Sequence, residues 1–115
     1  WKTTAHSHAM KTLVDKGMQF SQDCVQCHTV GFGKPGGFAD LRTTAWLANV
    51  QCESCHGPAQ DHVDEERKLA REFAGAHGGT PPVRTARPHN HFDAAFCATC
   101  HNPQNSPQFR YETYM

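Results

Sequence analysis

The 115-residue sequence lacks the long apolar runs and the apolar content from which a domain of this size usually builds its core. Its hydrophobic residues amount to 37%, and it contains nine glycines and seven prolines. No apolar run approaches the roughly 18 residues of a membrane span, and the alternation typical of strands is nearly absent. A small, loop-rich chain of this kind needs disulfides, metals or cofactors to hold it together. Six cysteines and nine histidines are available for that purpose.

The sequence also lacks an excess of charge of either sign. Eleven basic and eleven acidic side chains give a formal net charge of zero, which argues against nucleic acid or another polyanion as a partner. No secretory signal peptide is visible, and the chain begins as a mature protein or an excised fragment would. The cysteines and histidines therefore carry the functional information.

Local signals predict short helices separated by loops. A helix that Thr3 or Thr4 caps and that Gly17 follows is expected near the start of the chain. The string GFGKPGGF is expected to form an ordered turn, because no helix or strand interior tolerates that many glycines. We predict one domain over residues 1–115, mainly α. Helices are predicted over residues 3–16, 43–50, 58–74 and 93–101, and loops over residues 31–38 and 75–82.

One pattern repeats: Cys-x-x-Cys-His occurs three times and uses every cysteine. Residues i, i+3 and i+4 share one face of a helical turn, so both sulfurs and the imidazole of each copy reach one porphyrin. The thiols add across the two haem vinyl groups, and the histidine ligates the iron; this pentapeptide is the signature of c-type attachment. We predict three covalently attached haem c groups. The attachment residues are Cys24 and Cys27, Cys52 and Cys55, and Cys97 and Cys100, with His28, His56 and His101 as proximal iron ligands.

Other uses of the cysteines account for the pattern less well. Three disulfides would leave the histidine after every second cysteine unexplained. Structural zinc needs four ligands, usually from two Cys-x-x-Cys units or from one unit and a distant histidine pair. Three identical units with an adjacent histidine do not divide that way. A thioredoxin-like redox motif needs a βαβ context that is absent here.

Haem also accounts for the missing core. Three large apolar macrocycles tethered to a short chain bury much of its aromatic and aliphatic surface. The side chains expected to pack on them are Phe20, Phe32, Phe38, Trp46, Leu47, Phe73, Phe92 and Phe96.

Six histidines outside the motifs are candidates for second axial ligands. On the first predicted helix, Met10 and Leu13 lie four and seven residues after His6, so His6 shares their apolar face. His8 lies on a polar face and is expected to meet solvent. We therefore predict His6 as an iron ligand.

A second such ligand is predicted on the helix over residues 58–74. His62 lies on the same face as Leu69 and Phe73, and we predict that it ligates iron. The three remaining histidines are assigned less firmly: we expect exposure of His77 among its glycines, and ligation remains open for His89 and His91.

Four segments are more specific than isolated haem motifs: WKTTAHSHAM at 1–10, CVQCHTVGFGKPGGF at 24–38, VQCESCHGPAQDH at 50–62 and FCATCHNPQNSP at 96–107. Together they resemble the cytochrome c-554 family of multihaem cytochromes over nearly the whole chain. The resemblance implies a mainly α fold, with short helices and long loops wrapped around closely packed c-type haems and few or no strands. It also implies that the chain is a fragment or a shortened relative that lacks the first of the family's four haem motifs.

The resemblance assigns further roles. It implies that His6 is the distal ligand of the haem at Cys52 and Cys55, and that His62 caps the absent first haem. The distal ligand of the last haem is then expected from further downstream. By the same resemblance, the haem beside His28 is five-coordinate and open to a small ligand such as nitric oxide.

The expected function is electron transfer by three covalently bound haems, mostly with two histidine ligands each, because a six-coordinate iron has no site for substrate. The alternative is an enzyme module that reduces a small nitrogen compound at one five-coordinate haem. Redox proteins and other haem-bearing segments or subunits are the expected partners, with no nucleic acid and no membrane span. C-type haem is attached outside the bacterial cytoplasm, so the periplasm or the cell exterior is the expected location.

Overall fold

The helices of this chain are short, and most of the remaining backbone is loop. The computed structural model describes residues 1–74 and 83–114. Two 3₁₀ turns lie at Ala5–His8 and Ala45–Leu47. Within the described ranges, strand pairing is limited to one isolated antiparallel bridge between Thr29 and Ala48. The α-helices are α1 (Ala9–Asp15), α2 (Gln22–His28), α3 (Cys52–His56), α4 (Gln60–Glu72), α5 (Ala94–Ala98) and α6 (Tyr111–Tyr114). The predicted mainly α fold class is confirmed.

The chain divides into two compact units. Unit 1 comprises Trp1–Gln51 and Asn90–Met115, and unit 2 comprises Cys52–His89. Unit 1 therefore contains the first and third Cys-x-x-Cys-His motifs, and unit 2 contains the second. The expectation of one trihaem domain over residues 1–115 stays a prediction.

Unit 1 has a small hydrophobic core around the first motif. Met10 and Leu13 of α1 are buried against Val25 of α2, Phe38 and Ala48. Met10 and Leu13 are three residues apart and so lie on one helix face. Val25 is a middle residue of the first motif and is 3% exposed. Burial of Val25 thus fixes the turn of the first motif to the core.

The turn after the first motif needs its glycines, because two parts of its backbone approach each other closely. The amides of Val30 and Phe38 donate to the carbonyls of Leu47 and Val30, at 2.8 and 2.9 Å. Gly31 has a φ of +65°, which favours glycine. A Cβ on Gly37 would lie 1.7 Å from the carbonyl oxygen of Gly31. The turn predicted over residues 31–38 is therefore confirmed, and it delivers Phe38 to the core.

The first predicted helix is present, but its first turn differs. Residues 5–8 form a 3₁₀ turn, and α1 begins at Ala9. Thr4 is the N-cap, although its hydroxyl donates to the carbonyl of Trp1 at 2.7 Å instead of capping the helix. Gly17 follows the end of α1 with a φ of +69°, as predicted.

Three other predicted helices are shorter than expected. The helix over residues 43–50 is reduced to the turn Ala45–Leu47, since Ala48 joins the bridge to Thr29 and Asn49 has a φ of +74°. Pro58 lies outside α4, whose N-cap is Ala59. The helix over 93–101 is reduced to α5, with Asp93 as the N-cap that accepts from the amide of Phe96 at 2.8 Å. The loop predicted over residues 75–82 lies outside the described residues.

In unit 2, residues 84–89 run along α4 and α3. We call this segment the strap. Glu65 of α4 accepts hydrogen bonds from the amide and hydroxyl of Thr85 and from the amide of Ala86, at 2.7–3.1 Å. Arg84 forms an ion pair with Glu66 at 2.7 Å. The strap thereby covers the half-buried face of α4 that carries His62.

None of the helices in the described ranges is both long enough and apolar enough to cross a membrane.

Candidate haem-attachment sites

Each Cys-x-x-Cys-His motif forms a helical turn. His28 is the last residue of α2, and the second motif is the whole of α3. The third motif begins in α5, and the amide of His101 still donates to the carbonyl of Cys97 at 2.9 Å. The two thiols and the imidazole of each motif therefore lie on one helical face. None of the six cysteines, all of which lie within the described ranges, forms a disulfide.

At the first motif, the imidazole of His28 is held by the backbone of α1. Its Nδ1 lies 2.6 Å from the carbonyl oxygen of Ala9. A carbonyl only accepts, so Nδ1 carries the proton and donates it, which leaves Nε2 free to bind a metal. The hydroxyl of Thr29 donates to the carbonyl of Val25 at 2.7 Å and closes the helical turn.

At the second motif, the imidazole of His56 is held by the backbone of the strap. Nδ1 of His56 donates to the carbonyl of His89 at 2.5 Å, and the amide of His89 donates to the carbonyl of His56 at 3.0 Å. The paired bonds orient the imidazole and again leave Nε2 as the metal-binding atom. His89 thus contributes through its backbone to the placement of a predicted proximal ligand.

At the third motif, the acceptor is a side chain. Nδ1 of His101 lies 3.1 Å from Oγ of Ser106. Phe109 stacks on the His101 ring with a centroid separation of 4.2 Å and an interplanar angle of 17°. Burial, and then the nearby charge of His6, lower the pKa of His101. The imidazole is therefore held in its neutral, metal-binding form.

The first and third motifs meet inside unit 1. The pKa of the Cys27 thiol is raised to about 12, first by burial and then by a hydrogen bond with Cys100. Conversion of a thiol to a thioether removes its titration, so this pKa belongs to the free cysteines. The contact brings two attachment sites from distant parts of the sequence together.

His6 faces the third motif. Its ring centroid is 5.9 Å from that of His101, with an interplanar angle of 48°. Both imidazoles could be held by one metal ion, since a metal–nitrogen bond is about 2.0 Å long. The sequence argument for His6 used the wrong helix phase, because the 3₁₀ turn buries Ser7 and leaves His6 exposed.

His62 is held through Nδ1 in the same way as the three predicted proximal histidines. It is half-buried on α4 with Glu65, Glu66 and Leu69, whereas Phe73 is 45% exposed. Its Nδ1 donates to the carbonyl of Ala86 in the strap at 3.0 Å, so Nε2 is the free nitrogen. Leu69 thus shares the half-buried face of His62, whereas Phe73 lies at the C-cap just after α4.

His8, His89 and His91 are exposed, and His89 contacts His56 through its backbone. His77 lies outside the described residues. Sequence reasoning missed the groups that hold the imidazoles. Three of them are backbone carbonyls, which have no signature in the sequence, and the fourth is Ser106.

The apolar side chains expected to pack on haem differ in burial. Phe92 and Phe96 are half-buried with their ring centroids 5.5 Å apart, and Phe73 is 45% exposed. Phe38 is buried in the core of unit 1, with Phe32 and Leu47 packed beside it. Phe20 and Trp46 are 83% and 70% exposed. Exposed aromatic side chains, oriented imidazoles and paired thiols together supply the apolar surface and the donor set that haem c requires. The residues therefore fit the cofactor that the motifs imply.

Short helices arranged around repeated haem-attachment turns define a multihaem c-type cytochrome. The family model described as cytochrome c554 and c-prime matches residues 1–57. Cytochrome c-554 of Nitrosomonas europaea is 34% identical over 93% of this chain and 53% of its own length. The matches support a multihaem c-type cytochrome of the cytochrome c554 family.

Two further comparisons agree with this assignment. The nine-haem cytochrome c of Desulfovibrio desulfuricans is 32% identical over 74% of this chain and 25% of its own length. A solved structure of reduced cytochrome c554 from Nitrosomonas europaea matches with a TM-score of 0.70 at 26% identity, covering 98% of this chain and 72% of that one. The chain thus spans about half the length of the first curated relative and a quarter of the second.

Proposed function

We propose that this chain carries electrons through three covalently bound haem c groups, one at each Cys-x-x-Cys-His motif. The observation that supports this most directly is the shared geometry of His28, His56 and His101. In each imidazole Nδ1 is engaged in a hydrogen bond, so that Nε2 is the nitrogen that would bind iron, next to a pair of thiols. When bound, the haem iron supplies one-electron chemistry, and the protein supplies ligands, burial and hydrogen bonds.

The proposal places two of the three haems close together. The contact between Cys27 and Cys100 within unit 1 supports it, because each sulfur would be a thioether on a different macrocycle. Haems attached through neighbouring sulfurs have short edge-to-edge distances, which favour rapid electron exchange. The second haem would belong to unit 2.

We further propose that His6 and His101 ligate the third haem together. The 5.9 Å ring separation favours this pairing over the assignment of His6 to the haem at Cys52 and Cys55, which the family resemblance implied. The third haem would then be bis-histidine ligated without a residue from further downstream.

His62 is proposed as an axial ligand of a haem that this chain does not attach. Its Nδ1 contact with Ala86 supports a ligand role, and the resemblance assigns it to a haem that precedes the first motif of this chain. The haem would be supplied by another haem-bearing segment or subunit, and redox proteins would be the partners of the assembly. Covalent haem attachment supports a location in the periplasm or outside the cell.

Electron transfer is preferred to reduction of a small nitrogen compound. Both curated relatives are named as cytochromes, and neither name denotes a reductase. The five-coordinate haem beside His28 stays a prediction from the family resemblance.

The proposed haem content is tested by intact mass after denaturation and by extraction with acid acetone. We expect a mass above that of the polypeptide by three haems, and no extraction, because thioethers resist acid. The double variant Cys52→Ser, Cys55→Ser should lose one haem and keep two, whereas Ser21→Ala should keep all three. Ser21 is a suitable control because its side chain makes no capping hydrogen bond. Complete extraction, or bound zinc in place of haem, would contradict the proposal.

A further inference from the structure

The three proximal histidines are held by acceptors of different strength. His28 and His56 donate to backbone carbonyls at 2.6 and 2.5 Å. His101 lies 3.1 Å from the hydroxyl of Ser106. An amide carbonyl is a better hydrogen-bond acceptor than an alcohol, and the two carbonyl bonds are also the shorter ones. The third imidazole is therefore polarised less than the other two.

The polarisation of a ligating imidazole affects the metal. A hydrogen bond from Nδ1–H to a strong acceptor raises the basicity of the ligand. A more basic ligand stabilises ferric over ferrous iron, so it lowers the reduction potential, and hydrogen bonding around the site is one of the protein's means of setting that potential. A weak acceptor at Nδ1 has the opposite effect.

The local backbone holds Ser106 in place. Its amide donates to the carbonyl of Asn102 at 2.8 Å, and its carbonyl accepts from the amide of Phe109 at 3.0 Å. Phe109 in turn stacks on the ring of His101. Ser106 is half-buried, which limits competition from water. Residues 102–109 thus form a turn that fixes both the face and the Nδ1 atom of one imidazole.

We infer that Ser106 is a positioning residue that acts through His101: its hydroxyl accepts a hydrogen bond from Nδ1–H and keeps the reduction potential of the third haem above the value that a stronger acceptor would give. The inference rests on the proposed function, since it requires a haem at the third motif. It assigns a role to a residue outside all three Cys-x-x-Cys-His motifs.

The test is a potentiometric titration of the intact haem-loaded chain and four variants. Ser106→Asp supplies a carboxylate acceptor and should lower one of the three midpoint potentials, by about a tenfold change in the reduction equilibrium, or about 59 mV for one electron. Ser106→Ala removes the acceptor and should raise the same potential. Ser106→Thr keeps the hydroxyl and should leave all three potentials in place, as should Ser21→Ala.

The outcomes separate this inference from the proposed function. A wild-type protein without three haems would overturn the function, whatever the variants do. A wild-type protein with three haems, in which Ser106→Asp moves no potential or raises one, would overturn the role of Ser106. Should Ser106→Asp fail to assemble, equal potentials in Ser106→Ala and Ser106→Thr would overturn it equally.

Discussion

At the residue scale, His6 illustrates how a side chain is placed by a turn that its sequence does not predict. The periodicity of Met10 and Leu13 extends correctly through α1, where both are buried. It does not extend into the 3₁₀ turn of residues 5–8, where Ser7 takes the buried position. His6 is nevertheless directed at His101, because the turn rotates it away from the core and towards the third motif.

The proposed ligand pair makes a prediction about His6. Substitution His6→Ala should convert one low-spin haem to high-spin, since it removes one of two imidazoles from an iron. His8→Ala, a matched histidine two residues away, should leave the spectrum unchanged. Electron paramagnetic resonance of the ferric protein measures both.

Which haem loses its ligand is determined by introducing His6→Ala into chains that lack one pair of attachment cysteines. In a Cys97→Ser, Cys100→Ser chain, which lacks the third haem, His6→Ala should cause no further loss of low-spin signal. In a Cys52→Ser, Cys55→Ser chain it should still do so. The opposite pattern would assign His6 to the second haem and reject the pairing with His101.

At the element scale, the sequence predicts structure well where the constraint is local. The helical turns of the three motifs follow from the spacing of two thiols and an imidazole, and the glycine-rich turn follows from the conformations that glycine permits. The groups that orient the imidazoles are not predictable in this way. Ala9 lies 19 positions before His28, and His89 lies 33 positions after His56. Both act through backbone carbonyls, which every residue has.

Helix ends were also beyond the local signals. Pro58 suits the first turn of a helix, yet α4 begins at Gln60. Its half-buried face is defined by the strap, which contacts Glu65, Glu66 and His62. Contacts between segments about 20 residues apart therefore determine which face of α4 is covered.

The strap predicts a response to acid. Hydrogen bonds from the amide of Thr85, then its hydroxyl, then the amide of Ala86 hold the pKa of Glu65 below its usual value. A carboxylate with a lowered folded-state pKa stabilises the fold above its unfolded pKa, about 4.3 for Glu, and this contribution is lost as pH falls through the folded-state pKa. The pKa of Glu66 is lowered by Arg84 in the same direction. We expect the strap to loosen as the pH falls below about 4.3.

Hydrogen exchange of residues 84–89 measures this expectation. At neutral pH, Glu65→Ala should reduce amide protection in the strap several-fold, since it removes three hydrogen bonds to Thr85 and Ala86. Glu72→Ala is the control, because Glu72 forms an exposed ion pair with Lys68 at 3.9 Å, also on α4. Protection that survives in Glu65→Ala would show that the strap is held by other contacts.

At the scale of the whole molecule, the chain replaces a large apolar core with cofactor sites. The core of unit 1 consists of a few side chains around Val25 and Phe38, while aromatic side chains as large as Trp46 are exposed. The low apolar content of the sequence predicted this small hydrophobic core. It did not predict that the first and third motifs share a unit, because they are separated by the whole of unit 2 along the chain.

The last prediction follows from that shared unit. Because Cys27 contacts Cys100, the haems of the first and third motifs should be close enough for their ferric spins to interact. Parallel-mode and perpendicular-mode electron paramagnetic resonance should therefore show a coupled signal in the fully oxidised protein. Cys97→Ser with Cys100→Ser should abolish the coupling and restore an isolated signal from the first haem. Cys52→Ser with Cys55→Ser, the matched removal of the second haem, should leave the coupling in place. Coupling that disappears with the second haem and persists without the third would show that the electron path pairs the motifs differently from the contact seen in unit 1.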